Sequence, residues 1–283
     1  QNTRYNAIRI DGINTSDTFG LDSNNFPTIR QPVSMDAIEA INVDLSNYDV
    51  TITGATGAVV DAVTKSGTNE FHGSVYGTYR DGDWFGNNPP PTTAANKKFN
   101  GFTEEETYGF TLGGPIVKDK LFFFANYEKF KQAAPGADIA SSPLGLGRIP
   151  EADIQGAIDA AAAGANGNFA GFDAGGLEST GDTDLEEYAL KLDWNISDAH
   201  RASLRYSNLE QSKLRLNGIN SGTSGSVSLS SYWYQHDKAI ESTVAQLFSD
   251  WSDIFSTELK VSYRDYSAVR NTPTQGTPRI QIG

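Results

Sequence analysis

The stretch Gly57–Tyr79, GAVVDAVTKSGTNEFHGSVYGTY, holds two strand-like runs of opposite character on either side of a polar turn. Before the turn, Ala58–Val63 is short and almost continuously apolar, the composition of a strand buried on both faces. After it, Phe71, Gly73, Val75, Gly77 and Tyr79 alternate with His72, Ser74, Tyr76, Thr78 and Arg80, the period of two of a strand whose faces meet different solvents. Between them Lys65–Asn69 supplies the Gly and Asn that end an element and accept positive backbone angles. The stretch reads as the junction of two architectures.

Upstream, Ala7–Ile10 is a short strand running into an Asp11-Gly12 turn, followed by a polar loop to Gln31. Ser34 is placed to cap a short helix, Met35–Ile41, with Asp36 in the first turn where the helix dipole favours an acid. Strand-like Asn42–Leu45 and a Gly-rich approach to Ala58 follow. Residues 1–68 therefore read as part of a small α+β domain.

Downstream, from residue 69 to 283, long alternating segments are joined by connections of two very different lengths. The short ones are Val117–Lys120, Ser197–Ala199 and Ser252–Ile254; the long ones run over roughly 81–103, 131–184 and 212–238. Transmembrane β-barrels have this asymmetry, with short turns on one rim and long loops on the other. One stripe is apolar, with Leu121, Phe123, Ala125 and Tyr127, then Tyr188, Leu190, Leu192, Trp194 and Ile196, then Leu259, Val261 and Tyr263. The opposite stripe carries Lys191, Asp193, Asn195, Lys260, Ser262 and Arg264. Trp194, Trp251 and Tyr127 fall at stripe ends, where amphipathic rings suit a membrane interface. The expected fold is mostly β: about seven strands of a partial, antiparallel transmembrane barrel, preceded by the small α+β unit. A soluble β-sandwich with half-buried strands has the same alternation, and the pattern alone leaves it open.

Composition narrows the function classes. A net charge of -13 argues against nucleic acid, because phosphate backbones demand clustered Lys and Arg. The absence of Cys removes disulfides, thiolate nucleophiles and soft metal sites. No apolar run approaches the ~20 residues of a transmembrane helix, which says nothing against strands. Gln1–Arg4 carries no secretory signal and Gln281–Gly283 follows an unfinished alternating segment, so both ends read as cuts in a longer chain. His72, His200 and His236 show no metal-ligand spacing, and neither a Gly-x-Ser-x-Gly elbow nor a phosphate loop occurs. Catalysis and cofactor chemistry are not expected. In the second long loop, Glu151–Ala163 reads as a helix between Pro150 and Gly164. Asp173, Asp182 and Asp184 would be the oxygen ligands of a Ca²⁺ site, against the plainer reading of solvated surface acids.

Several of these residues carry a resemblance. Ile10-Asp11-Gly12, the Met35–Ile41 segment before Val43, VTKSGTNEFHGSVYG at 63–77, and Leu112-Gly113-Gly114-Pro115-Ile116 with Lys118–Phe124 resemble TonB-dependent outer-membrane receptors, most closely their Oar-like branch. It is dense over residues 7–130 and thin beyond. It implies an internal fragment of a plugged barrel of ~22 strands: residues 1–68 the end of the plug domain, 69–283 the first barrel strands and extracellular loops. It further implies energy-coupled uptake in the bacterial outer membrane, with inner-membrane TonB, outer-membrane lipid and lipopolysaccharide, and an extracellular peptide, glycan or siderophore as partners. The candidate substrate contacts are Trp84 and Phe85 in one loop, and Tyr232, Trp233, Tyr234 and His236 in another, since loop aromatics suit sugar or peptide contacts. The same rings also suit an interface belt or loop packing. An adhesin or scaffold built on the same barrel is the alternative function.

Overall fold

A computed structural model describes residues 5–18, 25–45, 57–86, 101–134, 151–164, 172–176, 181–216 and 228–272. Two sheets account for nearly all of it. The N-terminal sheet contains β1 (Ala7–Ile10), β2 (Ile13–Asn14), β3 (Ile38–Asp44) and β4 (Val59–Thr64) in the order β2-β1-β4-β3. The second contains β5 (His72–Asp81), β6 (Glu104–Val117), β7 (Leu121–Ala134), β8 (Gly181–Ser197), β9 (His200–Arg215), β10 (Tyr234–Ser252) and β11 (Phe255–Asn271), each antiparallel to the next in chain order. The helix α1 (Glu151–Ala163) lies in the connection between β7 and β8, on the residues its flanking Pro and Gly delimit.

The N-terminal sheet is built around β4, which pairs parallel with β1 and antiparallel with β3. The apolar run thus occupies a central strand, as its continuous hydrophobicity predicts. Asp11 and Gly12, at φ 49° and 76°, make the tight turn that folds β2 back on β1. One expectation fails: Met35–Ile41 is not a helix. Ser34 does cap, accepting from the Asp36 amide, but only a single 3₁₀ turn, Met35–Ala37, follows. From Ile38 the chain is strand and pairs with β4. Ile38, Ile41 and Val43 are β-branched and β4 offers a full row of partners, whereas a seven-residue helix has little beyond its own costly first turn.

The second sheet sorts its side chains cleanly. In register across β7 to β11, Phe123, Leu192, Leu204, Ala245 and Val261 lie in one outward row, with Ala125, Leu190, Tyr206, Thr243 and Tyr263 beside it. Many of these apolar groups are half exposed, as are Phe110 and Leu112 on β6, and Val75 on β5 is almost fully exposed. A continuous apolar face of this extent has no place in water and suits lipid.

The upper edge of that face is a line of tyrosines: Tyr79, Tyr108, Tyr127, Tyr188, Tyr206 and Tyr263. Tyr79 pairs with Glu106, two positions past Tyr108; Tyr108 pairs with Lys129, two past Tyr127. Tyr127 and Tyr188 are direct partners, Tyr188 pairs two past Tyr206, and Tyr206 and Tyr263 share Thr243. The line therefore falls by one residue per strand, about 3.3 Å for every ~4.8 Å across. That slope is about 35°, the strand tilt of closed barrels, so the tyrosines trace one level of a membrane crossed by tilted strands. Eight residues below Tyr79, Tyr108, Tyr188 and Tyr263 stand Phe71, Ile116, Ile196 and Phe255. The band is then about 22 Å tall, close to the ~25 Å apolar belt of outer-membrane barrels.

The short turns lie where expected, but strands extend further into the long connections than hydropathy indicated. β7 runs to Ala134, β8 begins at Gly181, β9 ends at Arg215 and β10 begins at Tyr234. Beyond the tyrosine line both faces are wet, so hydropathic alternation disappears while backbone pairing continues.

Candidate functional site

The N-terminal sheet and the segment after it are covered by the inward face of the large sheet, and the contact between them is mostly polar. At its deepest point Asp11 accepts hydrogen bonds from the amide and hydroxyl of Thr64, both at 2.8 Å, and pairs with Arg205 of β9 at 3.0 Å. Arg205 and the Asp11 carboxylate are both largely withdrawn from solvent. Lys191 on β8 donates to the Thr64 carbonyl at 3.2 Å and Gln246 on β10 to that of Asp11 at 3.3 Å. An apolar patch of Ile10, Val33, Ala37 and Phe124 bridges the two sheets beside these contacts.

A second group of contacts surrounds two buried carboxylates, Glu128 and Glu187, paired across β7 and β8. The Tyr76 hydroxyl donates to Glu128 at 2.7 Å and in turn receives the Ser34 hydroxyl at 2.6 Å. Its ring can cross β6 only because Gly109 lies opposite. A Cβ there would stand 2.5 Å from the Tyr76 oxygen. Arg30 approaches Glu128 at 4.0 Å, donates to Thr107 at 3.1 Å and lies 4.3 Å over the Phe130 ring. Asn126 donates to both oxygens of Glu187, at 2.9 and 2.7 Å. Pro27–Arg30 closes the upper end of the contact: the Pro27 carbonyl accepts from Lys238 at 2.9 Å, and the Ile29 amide donates to Gln211 at 2.7 Å. None of these inward partners announces itself in the sequence. Arg30, Glu128 and Glu187 become legible only once alternation has assigned each strand an inner face.

The expected substrate contacts fall in two separate places. Trp84 is exposed and packs edge-on against Tyr79, centroids 5.6 Å apart, while Phe85 meets Phe102 at 5.4 Å. Tyr79 belongs to the outward tyrosine line, so Trp84 sits at the wall of β5. The second group lies at the head of β10, five strands away from β5 in the sheet order. There Trp233 is 1% exposed, with its indole N–H donating to Ser228 at 2.9 Å. It is a packing anchor of the loop. Tyr232 is partly exposed, and Tyr234 and buried His236 occupy inward positions of β10, their rings 6.2 Å apart. The long connections before β8 and after β9 meet at this point: the Ser230 amide donates to the Gly176 carbonyl at 2.9 Å. The Ca²⁺ set is not assembled. Asp182 and Asp184 lie on β8, Asp173 caps its own turn through the Gly175 amide, and the described residues contain no group of three or more potential metal ligands.

The comparisons agree with this geometry. The family described as Outer membrane beta barrel domain matches residues 63–171, from the end of β4 into the second long connection. The TonB-dependent transporter Oar of Myxococcus xanthus is 35% identical over 129 residues, which cover 43% of this chain and 11% of that protein. In fold the chain is similar to the siderophore receptor PirA of Pseudomonas aeruginosa, with a TM-score of 0.53 at 14% identity over 94% of this chain and 34% of the receptor. It is also similar to a ferric enterobactin receptor mutant of the same organism, 0.56 at 16% over 94% and 34%, and to the Escherichia coli outer-membrane transporter YddB, 0.56 at 12% over 93% and 31%. The chain spans about a tenth of the curated relative and about a third of the solved structures. By its apolar, tilted, tyrosine-edged strands and by these likenesses, the chain resembles part of a TonB-dependent outer-membrane receptor of the Oar-like kind, and its location is the outer membrane.

Proposed function

We propose that this chain forms the end of a plug, residues 1–68, and the first seven barrel strands, residues 69–283, of a receptor that takes up an extracellular substrate with energy supplied through TonB. The observation that supports this reading most directly is the seam between the two sheets. A domain meant to stay in place for good would be expected to bury a broad apolar contact. Here the contact depends on ion pairs and hydrogen bonds, such as Asp11–Arg205 and Lys238 to the Pro27 carbonyl. Polar groups of this kind can exchange protein partners for water at modest net cost once the seam is wetted. A pull on the N-terminal sheet would therefore open a hydrated path along the inward faces of β7 to β11. The proteins that the chain resembles are transporters and receptors, and no step of bond chemistry is needed.

The test is crosslinking of the full-length receptor to TonB in whole cells, with and without an uncoupler of the proton gradient. Crosslinks that depend on the gradient, together with increased labelling of a Cys introduced at Ser203 on the inward face of β9, support energised opening. A correctly inserted barrel that never contacts TonB would replace this reading with that of an adhesin or scaffold.

A further inference from the structure

The chain passes from the N-terminal sheet to the large sheet through residues 65–71, and this connector is fastened to a turn it does not belong to. Asn69 and Asp119, the latter in the short turn between β6 and β7, bond reciprocally. The Asn69 side-chain amide donates to the Asp119 carboxylate at 2.5 Å, and the Asp119 backbone amide donates to the Asn69 side-chain oxygen at 2.8 Å. Asp119 stands at φ 63°, the left-handed conformation that Asn and Asp accept in tight turns. The turn is in turn held by β8: Asn195 donates through its side chain to the Asp119 carbonyl at 3.2 Å and through its backbone amide to that of Lys120 at 2.7 Å.

Two close approaches seat the connector. A Cβ at Gly67 would collide with the Phe123 carbonyl and stand 2.8 Å from that of Gly114, and these two residues are a cross-strand pair near the turn of the β6–β7 hairpin. A Cβ at Gly114 would collide with the Phe71 ring, whose centroid lies 6.3 Å from that of Phe123. Between these points the Thr68 hydroxyl donates to the Glu70 carbonyl at 3.0 Å and fixes a bend. The fastening lies at the rim of short turns, the side that faces the inner membrane. It stands immediately before the shortest strand of the large sheet. β5 has ten residues against fourteen to nineteen in the others, and among the described residues its only partner strand is β6.

We propose that residues 67–71 are a strain-relief clasp: tension applied to the N-terminal sheet ends at Asn69 and is carried by β6, β7 and β8, instead of reaching His72 and peeling β5 from β6. This rests on the receptor reading above, since it concerns a pull from the short-turn side, and it adds the point at which that pull stops. Two hydrogen bonds in parallel yield only when both break together, and one of the two here ends on a carboxylate, which strengthens it. The polar contacts that dock the N-terminal sheet are spread over its surface, and water replaces them one at a time once the seam opens. Extraction of β1 to β4 therefore precedes loss of the clasp, and β5 keeps its place.

The experiment pulls the full-length receptor out of a lipid bilayer by atomic-force spectroscopy, through a peptide tag inserted ahead of Tyr5. In the wild type the N-terminal sheet is expected to come away first and the trace to pause at the clasp. Loss of β5 is a separate, later event that frees the chain from His72 to Thr103, about 11 nm when extended. At a constant force that the wild type withstands, Asn69→Ala removes both reciprocal bonds and should shorten the lifetime of β5 by at least about tenfold. Glu70→Gln changes the charge of the same connector, spares those bonds and should leave that lifetime unchanged. The disulfide of Asn69→Cys/Asp119→Cys should suppress the β5 event until it is reduced. If Asn69→Ala does not insert, the wild-type and disulfide traces decide by themselves. Traces that run from the N-terminal sheet into β5 without a pause, a β5 lifetime equal in wild type and Asn69→Ala, an equal shortening by Glu70→Gln, or a disulfide that changes nothing overturns the proposal. The instrument supplies the force, so the result does not depend on TonB. A clasp that holds in a receptor never crosslinked to TonB sinks only the transport reading, and gradient-dependent crosslinking with a β5 indifferent to Asn69→Ala sinks only the clasp.

Discussion

On the outer face of the large sheet Leu190, Leu192, Leu204 and Val261 lie side by side; on the inner face of the same strands, one position along, stand Lys191, Asp193, Arg205 and Ser262. The backbone pairing is common to both faces, so the difference lies entirely in what each face must satisfy. The outer one meets lipid, where any polar atom is costly and shape matters little. The inner one meets another piece of the same chain, where polar groups have specific partners: Asp11 is held by Thr64 and Arg205, Glu128 by Tyr76, Glu187 by Asn126. A substitution should therefore be judged by face first and by residue type second.

The inner face gives the largest expected effect. Asp11→Ala leaves Arg205 buried without its anion and should destabilise the docked N-terminal sheet by ~3–5 kcal/mol, read as faster amide exchange in β1 and β4. Asp11→Leu with Arg205→Met removes both charges and should recover most of that loss; no recovery would mean the pair also sets the position of β1. On the outer face, Leu192→Arg places a cation at the middle of the apolar band and should cost ~2–4 kcal/mol in reversible folding into bilayers, whereas Ser203→Arg on the inward face of the neighbouring strand should cost far less. Equal penalties would erase the distinction between the faces.

Smaller changes sharpen the comparison. Tyr76→Phe takes the hydroxyl from Glu128 and Ser34 and should cost ~1–2 kcal/mol, measured as an earlier denaturant midpoint for release of the N-terminal sheet. The Lys129–Glu186 pair, at 2.6 Å above the tyrosine line, faces outward and is partly exposed. Lys129→Gln should change stability by less than about 1 kcal/mol and respond to salt.

Much of the large sheet was legible because lipid and a wet interior impose opposite polarities on alternate residues over nine positions. Tyr188 to Ile196 carries that signal by itself. Residues 207–215 do not: above the membrane both faces are wet, and the continuation of β9 rests on pairing alone. The Met35–Ile41 segment was misread for the reverse reason, since capping by Ser34 is a local signal and the β4 edge that draws Ile38 into a strand is distant in sequence. Of the expected contacts, Tyr234 and His236 fall on the inward wall, while Trp233, equally aromatic in sequence, is buried as a loop anchor.

The amino-acid sequence by itself determined the number of long strands, the two loop lengths, the apolar band and the presence of aromatic rings at its ends, because each is a property of period and composition along one strand. Register decided the rest. Only the pairing of seven strands sets Lys213 beside His236 and Arg270, or slides the tyrosines by one residue per strand into a slanted line. Only the docking of the N-terminal sheet brings Asp11 to Arg205 and Ser34 to Tyr76. These partners are separated by tens to hundreds of residues, and their side chains become neighbours through backbone hydrogen bonds that are indifferent to side-chain identity. No local pattern encodes them.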